Sequence, residues 1–400
     1  MPPARSGSPL ELSVLVDYAE PVETTETSGG ASARHFGLES DAAFIYPEQF
    51  FDEQARRIES KNGPLLFAGC SSGSYMAQQV AECYARHLAG TGCDEQLVFL
   101  DRIDERFADT ETKVRLAHHV GGADVFLFQA LLAPDRGFAV NDNYMSLLIA
   151  ARAFREHGAN RVTAVLPYMP YARQDKPTKF QREPTTAKLM ADLSRSAGID
   201  RVISWNPHSD QIHGFYADMP VYMLDPLTMF NREFAEFKGR KEVIAVAPDA
   251  GATKLVMHFS REMEVSSAIA SKFRPEQEEA IITDIIGDFR GKTTAIILDD
   301  MIASAGTVVE LVRELVTNKG VQQVFLAASH NLCLPGTRQR LEELYANYNL
   351  KRVVVTNSIP QTAEFVELPF FSVHSLAEVF CYTVNRVHYS RSVSEVFRSR

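Results

Sequence analysis

The densest chemistry in this 400-residue sequence lies in TTAIILDDMIASAGTVVELVREL, residues 293–315. An apolar run of strand character ends in two carboxylates, Asp299 and Asp300. Small residues from Ala303 to Thr307 then open a helix. Small side chains let backbone N–H groups approach a phosphate, and the helix N-terminus adds a dipole that favours an anion. Adjacent carboxylates suit ribose hydroxyls or a magnesium ion, which prefers oxygen ligands. Two acids closing a buried strand are costly without such partners, so a plain strand–turn–helix with an Asp cap is the weaker reading.

Other segments carry chemistry of the same kind. In PYMPYARQDK (167–176), Arg173 and Gln174 follow the strand-like VTAVLPY, where ligands bind in open α/β sheets. Arg173 offers a planar fork to phosphate, Gln174 a hydrogen bond to a base or phosphate, and Asp175 and Lys176 flank them. His208, in a polar loop beyond VISW, could hydrogen-bond phosphate or ligate a metal, though one histidine alone reads as structural. Asp249, in the turn Pro-Asp-Ala-Gly, reads alone as a helix cap. SKFRPEQEEA (271–280) follows strand-like SSAIA as a loop holding two cations, Lys272 and Arg274. Such a loop could close over a transferred group and neutralise its charge. GDFRGKT (287–293) imitates a phosphate loop but is one residue short between its glycines and precedes a strand, so it is read as a turn.

These loops need a frame. From Pro64 onward, strand-length apolar runs alternate with helical stretches: PLLFAGC then YMAQQVAECYARHLAG, ADVFLFQAL then YMSLLIAARAFREHG, RVTAVLPYM then TTAKLMADLSRSAG. The pattern restarts with VIAVAPDA, TAIILDD, QQVFLAASH and RVVVTNSI. The reading is α/β, two tandem domains, each a mostly parallel sheet flanked by helices. The expected boundaries are an extension over 1–60, domains at 61–210 and 211–385, and a tail at 386–400 that packs back on the first domain. The extension is rich in Ser, Gly, Thr, Pro and Glu and is expected to be partly mobile, with LELSVLVDY a candidate strand.

Composition excludes several classes. Hydrophobic residues at 45% and charged residues at 23% are globular proportions. A net charge of −10, from 41 basic and 51 acidic residues, argues against nucleic acid held by bulk electrostatics. Five cysteines with no CxxC pair make poor material for a disulfide framework and fit a reducing cytosol. No apolar run is long enough to cross a bilayer and the opening MPPARSGSPLELS has no secretory core, so no membrane partner and a cytoplasmic location are expected.

The string 293–315 resembles the phosphoribosyl-pyrophosphate loop of type I phosphoribosyltransferase folds. PYMPYARQDK, FADTE (107–111), NPHSDQIHGFY (206–216), APDAGATK (247–254) and VVVTNSIPQ (353–361) resemble, in order and spacing, the ribose-phosphate pyrophosphokinases, or PRPP synthetases. The resemblance runs from about residue 64 to the C-terminus. It implies an ATP-dependent diphosphokinase that converts ribose 5-phosphate to 5-phospho-ribose 1-diphosphate with Mg2+ and releases AMP. It implies phosphoribosyltransferase-like domains, the first on the ATP side and the second holding ribose 5-phosphate. Phe107, Asp109, Glu111, Arg173, Gln174 and Asp175 would bind ATP. Asp299, Asp300 and the loop Ser304, Ala305, Gly306 and Thr307 would bind ribose 5-phosphate. Lys272, Arg274 and His208 would be catalytic, and His208 and Asp249 would hold the metal. Residues 107–111 would reach a neighbouring subunit, implying a homo-oligomer built from dimers, with a hexamer among the options.

The sequence also departs from that family. Asn206, Tyr222 and Ala303 stand where acids are usual, and one extra residue lies between Phe215 and Pro220. Two alternatives therefore stay open: a catalytically weak regulatory homologue that assembles with an active synthetase, and a phosphoribosyltransferase that consumes the product.

Overall fold

The computed structural model describes residues 15–17, 44, 46, 60–89, 97–137, 139–273 and 281–397. Its frame is two seven-stranded sheets. The first contains β1 (Leu15–Asp17), β2 (Leu65–Gly69), β3 (Val98–Leu100), β6 (Asp124–Phe128), β7 (Arg161–Leu166), β8 (Arg201–Trp205) and β9 (Val221–Leu224). The order is β1-β3-β2-β6-β7-β8-β9, and every pairing is parallel. Between β3 and β6 a hairpin, β4 (Asp104–Arg106) and β5 (Thr112–Val114), stands apart as its own antiparallel pair.

The second sheet contains β10 (Val243–Ala247), β11 (Ser266–Phe273), β12 (Ile281–Ile286), β13 (Thr294–Ile302), β14 (Gln323–Asn331), β15 (Leu350–Thr356) and β16 (Phe371–His374). Its order is β12-β11-β10-β13-β14-β15-β16, with β12 alone antiparallel. Central strands covered by helices on both faces need apolar side chains on both faces, and β6, β8 and β10 are buried from end to end. Helices supply the cover, including α1 (Ser74–Leu88), α2 (Val140–Glu156), α3 (Thr186–Ala197), α4 (Leu227–Glu233), α5 (Thr253–Met263), α6 (Gly306–Thr317), α7 (Thr337–Asn347), α8 (Ala363–Val366) and α9 (Ala377–His388). Gly198 closes α3 at φ +99°, a left-handed stop that costs glycine least.

The division of the chain differs from the expected one in two places. Strand β9 lies beyond residue 210 yet completes the first sheet, so the second half starts after Leu224. The return of the chain end begins at Ala377, not at 386. Helix α9 packs on α1, with Asn385 Nδ2 donating to the Tyr84 hydroxyl at 3.0 Å. As a result one apolar cluster joins both halves, from Phe67 and Phe126 through Phe380 to Phe259 and Ile296. The extension is partly built in: β1 lies inside the candidate strand and extends the first sheet beside β3. Phe44 is buried between Tyr84 and Tyr382. The rest of the expected extension, apart from Tyr46 and Ser60, lies outside the described residues.

Candidate functional site

All strands of a parallel sheet end on one side, so the loops after them converge. Four of the expected segments are such loops, following β7, β8, β10 and β13. After β7 the chain turns at Tyr171 (φ +63°) into a short 3-10 turn, Ala172–Gln174, which leaves Arg173 and Gln174 exposed. Asp175 is tied to the neighbouring loop, accepting from the Ser209 hydroxyl at 2.7 Å. After β10, Asp249 Oδ1 accepts from the backbone N–H of Gly251 at 2.8 Å and of Ala252 at 3.4 Å. It shapes the turn into α5 and still bears electrostatically on Asp299.

The loop after β8 meets β13 from the other half. His208 Nδ1 lies 2.5 Å from Asp300 Oδ2. Hydrogen bonding to Asp300 raises the His208 pKa against the opposing effect of burial. Burial pushes Asp300 up, but the hydrogen bond and charge of His208, aided by Asp299, bring it below the ordinary carboxylate value. Asp299 goes the other way. Burial first, then the charges of Asp300 and Asp249, drive it well above that value. Crowded carboxylates of this kind fit a hard cation, because Mg2+ takes oxygen ligands and would relieve their repulsion. His208 fits less well as a ligand, since it offers nitrogen and turns one ring nitrogen to Asp300.

Strand β13 does not stop at the acids; it continues to Ile302 and stays paired with β14 through Asn331. Asp299 and Asp300 are therefore held by a ladder rather than by a loop. The bend that follows ends at Ala305, a non-glycine residue at φ +60°, and α6 starts at Gly306. Two side chains fix the bend from outside: Arg340 Nη1 donates to the Ser304 carbonyl at 2.7 Å, and Thr337 Oγ1 to the Ala303 carbonyl at 2.8 Å. With those carbonyls turned to α7, the site side is left to the N–H groups that open α6, suited to an anion.

His330 is not among the site residues expected from the sequence. It closes β14 in VFLAASHN, where the only cue was a polar pair ending an apolar strand. Its exposure is 1%, its ring lies edge-on to Tyr168 at 5.0 Å, and burial pushes its pKa down to about 4. Nε2 donates to the Asn206 carbonyl at 3.1 Å, and Nδ1 faces the Ser358 hydroxyl at 2.7 Å. Asn206 thus anchors the start of the His208 loop. Its backbone sits at φ +38°, and its side-chain amide donates to Ser329 Oγ at 2.6 Å. Ala303 and Tyr222 have structural settings too: Ala303 packs beside Tyr168, Leu332 and Ile359, and Tyr222 lies half-buried on β9.

Two expected groups stand elsewhere. Phe107, Asp109 and Glu111 form the tip of the β4–β5 hairpin, closed by Phe107 N–H donating to the Glu111 carbonyl at 2.9 Å. Phe107 is 52% exposed there, with Lys113 Nζ 5.6 Å above its ring. Lys272 was expected on a loop but lies within β11, in register with Ile282 of β12. It is next to last in a strand parallel to β10, so its backbone lies toward the sheet end from which the Asp249 loop leaves. Arg274 lies outside the described residues.

A family model described as the N-terminal domain of ribose phosphate pyrophosphokinase matches residues 65–198. Another, the phosphoribosyl synthetase-associated domain, matches 246–398. Similar curated proteins include a ribose-phosphate pyrophosphokinase of Clostridium acetobutylicum, 37% identical over 294 residues, covering 73% of this chain and 88% of that one. That of Caldanaerobacter subterraneus subsp. tengcongensis is 34% identical over 336 residues, covering 84% and 98%. Among solved structures, phosphoribosylpyrophosphate synthetase from Mycobacterium smegmatis superposes with a TM-score of 0.70 at 30% identity, covering 82% of this chain and 99% of that one.

Proposed function

The chain belongs to the ribose-phosphate pyrophosphokinase family, and from that premise we propose how its residues divide the work. The enzyme is a diphosphotransferase that takes ATP and D-ribose 5-phosphate to AMP and 5-phospho-α-D-ribose 1-diphosphate. The anomeric oxygen attacks the β-phosphorus in line, the bond from that phosphorus to the α–β bridging oxygen breaks, and AMP leaves. Positioning and charge neutralisation carry most of such a reaction.

Arg173 and Gln174 take the ATP phosphates, and the exposed hairpin tip with Phe107, Asp109 and Glu111 serves adenine, in a neighbouring subunit of a homo-oligomer. Backbone N–H groups from Ser304 to Thr307 hold the 5-phosphate, while Asp299 and Asp300 orient the ribose hydroxyls. Lys272 and Arg274 neutralise charge on the group in transit. Magnesium, held by Asp249 and Asp299, would supply positive charge to the phosphate oxygens. His208, placed by Asp300, sits at the seam and hydrogen-bonds the phosphate chain rather than the metal. Among the described residues no helix is long and apolar enough to span a membrane.

The observation that carries this reading is the contact of His208 with Asp300, which brings the expected catalytic histidine against an expected ribose-binding carboxylate from the other half. AMP and PRPP formation by the purified protein, with ATP, ribose 5-phosphate and Mg2+, tests it. Turnover lost in Lys272→Ala and His208→Ala supports the assignment. A wild-type protein that binds both substrates without turnover would instead be a regulatory homologue.

A further inference from the structure

Away from that site, α1 and α9 bring together three side chains that the diphosphoryl transfer does not use. Cys83 and His87 stand four residues apart on α1, hence on one face of the helix, and Cys381 meets them from α9. One ligand atom from each, two thiol sulfurs and a ring nitrogen, lie within 4.8 Å of one another. A tetrahedral zinc site with Zn–S of about 2.3 Å puts its ligands roughly 3.8 Å apart, so closure needs only small side-chain rotations. Both cysteines are buried, while His87 is half-buried and leaves a route for an ion.

The histidine ring is held for the purpose. Phe44 stacks on it at 4.2 Å with an interplanar angle of 19°, and Tyr382 meets it edge-on at 5.1 Å. Phe44 comes from the N-terminal extension and lies outside both matched regions, 65–198 and 246–398. The three ligands therefore sit where the extension, the first half and the returning chain end meet.

We propose that Cys83, His87 and Cys381 form a structural site for a thiophilic divalent cation, zinc in the first instance, that pins the extension and α9 to α1. Two thiolates and an imidazole select zinc over the magnesium of the catalytic centre, which demands oxygen. The fourth position is open to water. Binding releases the thiol protons, and the ion's affinity for the folded site adds to stability.

The test is a cobalt titration of the full-length protein after chelation of endogenous metal. The expected result is one equivalent bound with a sulfur-to-cobalt charge-transfer band, displaced by zinc. That band should be at least halved in Cys83→Ser and in Cys381→Ser, lost when both are replaced, and retained in Asp249→Asn. Absence of a thiolate band in the wild type overturns the proposal without any variant, as does a band of undiminished intensity in Cys83→Ser. Should the cysteine variants misfold, His87→Ala, at a half-buried position, must weaken cobalt binding at least tenfold; unchanged binding overturns the proposal as well.

Discussion

His208 and Asp300 come from different halves of the chain, separated by 92 residues, and meet at 2.5 Å. The pair is 39% and 21% exposed, so water screens it in part and it adds only about 1 kcal/mol to stability. Its functional weight lies in position. It fixes the imidazole beside Asp175 and Arg173, both of which act electrostatically on it.

That pairing sets a pH dependence. His208 is raised in the folded state, so its contribution is complete below the unfolded value of about 6.5 and disappears as pH rises through the folded value. Asp300 is depressed, so its share is lost only in acid, as pH falls below about 4. The stability gap between wild type and Asp300→Asn should therefore shrink as pH climbs above about 6.5. Urea midpoints measured from pH 5 to 9 check this, and a constant gap would mean that the pair is not ionic. Activity of Asp300→Asn should fall by roughly 100-fold or more, because the imidazole and the ribose would both lose a partner.

His330 predicts an acid limb of opposite sign. Held neutral and buried, with a pKa of about 4, it must gain a proton on unfolding once pH falls below about 6.5. The unfolded state then binds more protons, so stability declines between pH 6.5 and 4, by up to about 3 kcal/mol. His330→Gln should be less stable at neutral pH yet lose less on acidification. Its kcat should fall with little change in KM for ribose 5-phosphate, since His330 acts through the Asn206 carbonyl and the His208 loop. A KM effect alone would show that the loop position does not depend on it.

Much of this was legible in the sequence because strand and loop signals are local. Apolar runs, small residues before a helix and paired acids announce both sheets and the strand–bend–helix passage from β13 into α6. What stayed hidden required partners far along the chain. Nothing near His208 announces Asp300, and nothing near His330 announces Asn206, 124 residues away. Lys272 was misread for a related reason. SSAIA looked complete as a strand, and only the pairing with β12 extends it to Phe273. The boundary at 210 failed because β9, only VYML, is too short to show as a strand between loops.

Ala305 predicts a trade between stability and binding. An alanine at φ +60° carries about 1 kcal/mol of local strain, held by the surrounding bend. Ala305→Gly should raise stability by up to about 1 kcal/mol, whereas Ala305→Val should cost about 1–3 kcal/mol and weaken ribose 5-phosphate binding. Thermal melts with calorimetric titration separate the two. A Val variant that binds normally would remove this bend from the ribose-phosphate site.

Phe107 predicts the reverse pattern. Half-exposed at a hairpin tip, it contributes little to the isolated fold, and Phe107→Ala should change stability by less than about 0.5 kcal/mol. If the tip serves adenine across a subunit boundary, KM for ATP should still rise roughly tenfold or more, the loss of one aromatic contact of about 1.5 kcal/mol. Unaltered kinetics at full stability would place the tip outside the nucleotide site.

Asp124 gives the test of how the chain end is anchored. It is fully buried at the start of β6 and shared between two partners: one oxygen pairs with Arg201 of β8, and the other lies 2.9 Å from His388 Nδ1 at the end of α9. Two further contacts reinforce the same end, with Ser60 Oγ and Asn62 Nδ2 both donating to the His388 carbonyl. Removing the carboxylate would leave the Arg201 guanidinium buried without a counter-charge, with Thr163 Oγ1 and the Phe126 ring beside it, a loss of about 3–5 kcal/mol. Asp124→Asn should therefore lower the urea midpoint markedly and expose α9 to protease before the rest of the chain. His388→Ala removes only the second partner and should cost less, while releasing the same helix. Protease resistance equal to that of the wild type in both variants would show that α9 is held by its contacts with α1 and not by Asp124.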